Sequence, residues 1–122
     1  RAHASSNDAS LVLLVTVGER RILLPADIEA SAEAWLVESG RTLAADALVV
    51  PHHGSRTSST AAFVAAVAPA VAIVSVGASN TFGHPVPEVL ERYEDAAVLR
   101  TDLHGNVTLS SDGERLWWRT DR

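Results

Sequence analysis

The sequence predicts an α/β layered domain, and three observations carry that prediction. Short apolar, β-branched runs alternate with stretches of helical periodicity in the order strand, strand, helix, strand, helix, strand, helix, strand, strand, strand. That alternation belongs to a sheet with flanking helices, not to a bundle or an all-β sandwich. The runs at 47–50 and 71–76 are apolar but for Ser75, as strands buried on both faces are. The polar residues able to do chemistry (Asp27, His52, His53, Asn80 and His84) all fall just beyond apolar strands, the edge where α/β proteins collect their sites.

Composition sets the outer bounds. At 122 residues the chain is one domain or part of one, long enough to bury a core. Its 47 % hydrophobic and 20 % charged residues are those of an ordinary globular protein. The net charge of -5 argues against a broad non-specific nucleic-acid surface. A metal-dependent phosphate site stays open, because a bound cation inverts the local field. All ten basic residues are arginine, which with the abundant alanine reads as GC-rich codon bias. The absence of cysteine excludes a disulfide framework, a thiolate metal site and a thiol nucleophile. No apolar run approaches the ~20 residues of a membrane span, and no signal-peptide pattern opens the chain. Any membrane anchor of a parent protein is expected outside this piece.

Taken in order, residues 1–9 are small and polar, an irregular lead-in. Residues 11–17 and 20–24 read as a hairpin turned by Gly18-Glu19. Pro25-Ala26-Asp27 ends the second strand. A helix follows with Ile28, Ala32, Trp35, Leu36 and Ser39 on one face, Glu29 and Glu33 in its early turns, and Gly40 as its stop. The strand at 47–50 leads into Pro51-His52-His53-Gly54. Ser58 or Ser59 is placed to cap the next helix, which carries Phe63, Val64 and Val67 inward and ends before Pro69. Residues 71–76 form a central strand, and 77–85 a loop with Asn80 and His84. Pro87 opens a short helix with Val89, Leu90 and Tyr93 on one side. Strands at 98–101, 107–110 and 115–119 finish the chain, the last two joined by Asp112-Gly113.

The organising stretch is Val49-Val50-Pro51-His52-His53-Gly54-Ser55-Arg56. A strand end is a stiff support for ligands, Gly54 lets the backbone turn sharply, and neutral imidazoles suit a transition metal. The competing reading is a polar turn whose histidines do nothing else. Asp27, past a strand and before a helix, reads as a helix N-cap, a metal carboxylate, or both. His84, between Gly83 and Pro85, is either fixed on a loop for chemistry or part of a surface turn. His104 reads as hairpin chemistry, and Trp117-Trp118 as packing plus an edge contact in preference to a base-stacking platform. Ser55 lacks the Gly-x-Ser-x-Gly elbow of a serine hydrolase, and no phosphate-cradling Gly-rich loop occurs.

The segments Ser10-Leu11-Val12-Leu13, Pro25-Ala26-Asp27-Ile28-Glu29, Asp46-Ala47-Leu48-Val49-Val50-Pro51-His52-His53-Gly54-Ser55, Ile73-Val74-Ser75-Val76-Gly77, Asn80 with Gly83-His84-Pro85, and Arg100-Thr101-Asp102 with Gly105 occur in that order. Together they resemble the second half of the C-terminal metallo-β-lactamase-like domain of ComEC-type DNA-uptake (competence) proteins. The likeness covers about residues 7–110, and His-His-Gly-Ser and Gly-His-Pro are its most specific parts. It implies an αββα sandwich, of which residues 1–122 would be a single, partial domain with a mixed sheet and flanking helices. It also implies phosphodiester hydrolysis of the DNA strand that is not imported, in a polytopic inner-membrane protein with this domain facing outward.

Carried over by residue, the resemblance makes Asp27 and His53 metal ligands, His53 being preferred to His52 because it directly precedes Gly54. His52, Ser55 and Asn80 would line the substrate side and His84 would act in catalysis. Two divalent cations, zinc or manganese, are implied in the intact domain. Two departures stand out: the family's Thr-Gly-Asp is Pro25-Ala26-Asp27 here, and the His-rich cluster ending in Asp-His is missing from the chain. A catalytic zinc needs about three protein ligands and an open position, so the isolated piece is expected to bind metal weakly or not at all and to show no turnover. The expected partners are single-stranded DNA, the remainder of the parent protein, and a second copy meeting bare sheet faces. The alternatives are a non-catalytic scaffold of the uptake channel and another metallo-hydrolase of the same superfamily.

Overall fold

The computed structural model describes residues 10–77 and 83–122. Its centre is a five-stranded mixed sheet in the order β1-β2-β3-β4-β5, and β6-β7 form a separate two-stranded sheet. β1 (Leu13–Val17) and β2 (Arg20–Leu24) form the antiparallel hairpin that their turn chemistry predicts, with Gly18 at φ +57°. β2, β3 (Ala47–Val49), β4 (Val71–Val74) and β5 (Ala97–Arg100) run parallel, joined by α1 (Ala30–Glu38), α2 (Ala61–Val67) and α3 (Pro87–Arg92). β6 (Val107–Ser111) and β7 (Leu116–Thr120) make the final antiparallel pair.

Pleating explains why the central strands are apolar throughout. Leu23, Leu48, Ala72 and Val74 point to one face and join Ile28, Leu36, Phe63, Val67, Val89 and Tyr93 in the core under the helices. Ala47, Val71, Ile73 and Leu99 point to the other face, where Val107, Leu109 and Leu116 of the β6-β7 hairpin cover them. A buried Leu or Phe side chain contributes about 1.5–3 kcal/mol, so the fully buried Leu48 and Phe63 are principal anchors of the layer. At the far edge, all five residues of β1 are exposed, four of them Leu or Val. No helix among the described residues is long and apolar enough to cross a membrane.

Local readings needed correction in three places. α1 starts at Ala30, with Ile28 buried just ahead of it, and Trp35 lies not on the buried face but in solvent, under the Arg41 guanidinium 5.8 Å from its ring centre. Glu33 lies in the first turn, as its position in the sequence indicates, and is fully buried. The cap of α2 is Thr60, whose hydroxyl accepts from Phe63 N at 3.3 Å, and not Ser58 or Ser59. Residues 101–104 are not part of a hairpin: α4 (Thr101–His104) is one helical turn that carries the chain from β5 across to β6. Within it, His104 Nδ1 accepts from Arg100 N at 2.9 Å, closing the turn.

Candidate metal-binding site

Four parallel strand ends build the site. Because β2 to β5 are paired in register (Leu23↔Leu48, Val49↔Ile73, Val74↔Arg100), the residues that follow each strand gather at one edge of the sheet. Asp27 follows β2, His52 and His53 follow β3, Ser75 follows β4 and Thr101 follows β5. Thr101 ties the last two ends together, its hydroxyl accepting from Val76 N at 2.8 Å and lying 2.8 Å from Val76 O.

The backbone here is held in conformations that L-residues avoid. Ala26, His52 and His53 have φ of +57°, +51° and +57°. A non-glycine residue in this left-handed region costs on the order of 1–2 kcal/mol, so the surroundings must over-determine it. They do so through hydrogen bonds. His52 N donates to Ala26 O at 2.9 Å, which locks the β2 and β3 loops to each other. The buried Ser58 hydroxyl lies 2.9 Å from both the Pro51 and Ser55 carbonyls, and Ala30 N donates to Thr57 O at 2.8 Å. Gly54, at φ +79°, has no room for a Cβ, which would sit 2.5 Å from Pro85 Cβ, and its carbonyl accepts from Val86 N at 3.1 Å. Two successive left-handed residues splay the imidazoles, whose centroids are 6.4 Å apart at 55°. One ring is thus sent toward Asp27, the other toward His84.

His53 Nδ1 is 2.6 Å from Ser75 O. A carbonyl only accepts, so Nδ1 carries the proton and the neutral ring has its lone pair on Nε2. That nitrogen is 3.6 Å from Asp27 Oδ1, with both side chains about half exposed. Asp27 does not cap α1, whose N-cap position is Glu29. Two acceptors therefore face each other across a gap too long for a hydrogen bond. Ligands about 2.0–2.1 Å from one ion in tetrahedral geometry stand roughly 3.3 Å apart, so the pair fits a shared cation. The bond from Nδ1 to a backbone carbonyl is the usual device for orienting a metal-bound histidine. Among the described residues no group of three His, Cys, Asp or Glu is arranged to hold a metal.

The other predicted residues are placed as follows. His52 Nδ1 is 3.5 Å from Thr57 Oγ1, and its ring centroid is 6.0 Å from that of His84. Loss of solvation, then the neighbouring His52 and His53, push the His84 pKa below its ordinary value of 6.5. Ser55 is buried, its hydroxyl 3.0 Å from Thr57 Oγ1. Asn80 lies outside the described residues. Sequence reasoning missed Thr57, which links Ser55 to His52, and the Ser75 carbonyl. Thr57 had a visible signal, a hydroxyl between two others in 55–60, whereas a carbonyl has none.

Comparison with known proteins sets this geometry in context. The chain is 38 % identical over 108 residues to "Competence protein ComA" of Neisseria gonorrhoeae, covering 86 % of this chain and 16 % of that protein. It is 36 % identical over 106 residues to "ComE operon protein 3" of Bacillus subtilis, with coverages of 85 % and 14 %. It is 39 % identical over 116 residues to "Recombination protein 2" of Haemophilus influenzae, with coverages of 92 % and 14 %. No family model matches the chain, and no solved structure does. The chain thus spans about a seventh of the length of the curated relatives it matches, and it is similar over most of its own length to one segment of proteins whose names support a competence or DNA-uptake protein.

Proposed function

We propose that this chain is part of a metal-dependent phosphodiesterase on a metallo-β-lactamase-like fold, acting on DNA in the uptake step of natural transformation. One observation carries the reading: Asp27 Oδ1 and the lone pair of His53 Nε2 face each other at 3.6 Å, with the opposite ring nitrogen committed to Ser75 O. The likeness to competence-named proteins supports the process, and the sheet with its strand-end site supports the architecture.

Asp27 and His53 would hold the ion, zinc or manganese, with the remaining ligands supplied by polypeptide outside this segment. A bound divalent cation supplies charge neutralisation at phosphate oxygens and an activated water. His52, held near Thr57, faces the phosphate, and Asn80 would line the substrate side. The lowered pKa of His84 leaves its ring neutral at pH 7, so it serves as a hydrogen-bond donor to the phosphate or the leaving oxygen and not as a standing positive charge. The parent is then a membrane protein presenting this segment to DNA on its outer side.

The test is made in the longer polypeptide with Asp27→Ala and His53→Ala. Metal content and cleavage of single-stranded DNA should both fall at least tenfold, with small phosphoesters and lactones much poorer substrates. Full retention of metal and cleavage by both variants removes the mechanism. A second reading, a non-catalytic scaffold, is favoured by the two-ligand set among the described residues; it requires that the wild-type polypeptide hold no metal and cut nothing.

A further inference from the structure

The outer face of the β6-β7 hairpin carries chemistry that the strand-end site does not use. Val107, Leu109 and Leu116 pack inward against the main sheet. Strand alternation and the pairs Ser110↔Trp117 and Thr108↔Arg119 therefore turn those four residues outward, and Arg115 precedes them in the same phase. Trp117 is 48 % exposed and Trp118 42 %, where the sequence predicts packing plus an edge contact for the pair. Arg115 and Arg119 are exposed, and neither guanidinium has a carboxylate of the described residues within ion-pair distance. Of the adjacent acids, two are engaged with backbone: Asp112 Oδ1 accepts from Glu114 N at 3.0 Å and Arg115 N at 2.8 Å, and Asp121 Oδ2 accepts from Asn106 N at 3.1 Å, while the Glu114 side chain beside Arg115 is exposed.

We propose that Arg115, Trp117 and Arg119 form a binding stripe for single-stranded nucleic acid, a base stacking on the Trp117 indole and the two guanidinium groups taking the flanking phosphates. An indole between two cations, beside the hydroxyls of Thr108 and Ser110, matches the alternation of flat base and charged phosphate along a single strand. An apolar protein or lipid partner would strip water from both arginines and leave them unpaired. A duplex keeps its bases stacked away from the indole, and the net charge of -5 opposes a broad duplex footprint.

Arg115 to Arg119 spans about 13 Å of extended strand, enough to bracket one stacked base. The stripe also runs toward the site. Its Thr120 end pairs with Val107, and Asp121 N and Arg122 N donate to Asn106 O and His104 O beside α4, at the sheet edge that bears Asp27 and His53. This surface rests on the DNA reading above for the identity of its ligand, and on neither the metal nor cleavage.

The experiment is fluorescence anisotropy of a labelled oligothymidylate of about fifteen nucleotides with the full chain, in chelator, over a salt series. Trp117→Ala should weaken binding about tenfold or more, and Trp117→Phe should restore most of it. Arg115→Ala with Arg119→Ala should lower the slope of log affinity against log salt by roughly 1.4, about 0.7 for each lost phosphate contact. Circular dichroism and thermal midpoints should be unchanged, since all three side chains are exposed. Asp27→Ala should bind the oligonucleotide as wild type does, whatever its effect on cleavage, which separates this surface from the metal site. Wild-type affinity in Trp117→Ala, or no binding by the wild type, overturns the proposal even if the strand-end site proves catalytic.

Discussion

Glu33 is the residue whose removal should tell most about how the site is held. Fully buried on α1, it accepts from Ser59 N at 2.6 Å with one carboxylate oxygen and from Thr60 N at 2.7 Å with the other. These are donors at the start of α2, where a helix leaves N–H groups without partners, so one side chain both satisfies them and fastens α1 to α2. The same segment returns to the site through Ser58. Hydrogen bonds to a charged group contribute about 1.5–3 kcal/mol each, so the pair contributes about 3–6 kcal/mol before the cost of burying the carboxylate is subtracted. Burial is the dominant influence, raising the pKa above its ordinary 4.5 against the pull of the Thr60 and Ser59 backbone bonds and Arg92. Glu33→Ala should therefore destabilise the fold by about 3 kcal/mol, and Glu33→Gln, which turns an NH2 toward one donor, by about 1–3 kcal/mol. In urea, with a slope of about 1–3 kcal/mol per molar, the alanine variant's midpoint should fall by about 1–3 M. The pH dependence has a definite sign. A raised folded-state pKa gives wild type a contribution fully present below pH 4.5 that is lost as pH rises through the folded value. The stability gap between wild type and Glu33→Gln should thus be widest in acid and narrow toward neutrality. An alanine variant within about 0.5 kcal/mol of wild type, or a gap that widens with rising pH, refutes this account of the buried carboxylate.

Two glycine exchanges probe the strand-end loops. Ala26→Gly relieves a left-handed residue at φ +57° but loosens the unfolded chain, and should stabilise by about 0.5 kcal/mol in thermal melts; a loss of more than about 1 kcal/mol would show that the Ala26 methyl has a packing role. Gly54→Ala places a Cβ at 2.5 Å from Pro85 Cβ in a left-handed conformation and should cost about 2–4 kcal/mol in chemical unfolding, whereas wild-type stability would mean the two loops are not in contact.

The framework of the fold was legible because its signals are local. Apolar runs in 47–50 and 71–76 became the central parallel strands β3 and β4, Asp112-Gly113 became the last turn, and Pro87 opened α3. What escaped depends on residues far apart in the chain. Nothing around Glu33 distinguishes an acid that greets a helix dipole from one that reaches across to Ser59 and Thr60, 26 and 27 positions on. The same hidden partner explains the cap. Ser59 N is satisfied from α1 and its hydroxyl is 2.8 Å from Tyr93 Oη, while the Ser58 hydroxyl is spent on Pro51 and Ser55. Thr60 is left to cap α2.

The same division holds at the candidate site. Asp27 and His53 could be singled out because carboxylates and imidazoles just past strands have recognisable chemistry, and the structure brings them to 3.6 Å. The group that decides which His53 nitrogen keeps a lone pair is the carbonyl of Ser75, which any residue at that position would supply. Its place is set by the pairing of β3 with β4, Val49 opposite Ile73. Slipping that register by one residue would exchange the buried faces of β4 and move the Ser75 carbonyl about 3.3 Å along the strand, out of reach of Nδ1. The apolar alternation of two strands with no functional side chain therefore fixes the tautomer of the histidine beyond them, and the packing of the core and the chemistry of the edge are one constraint.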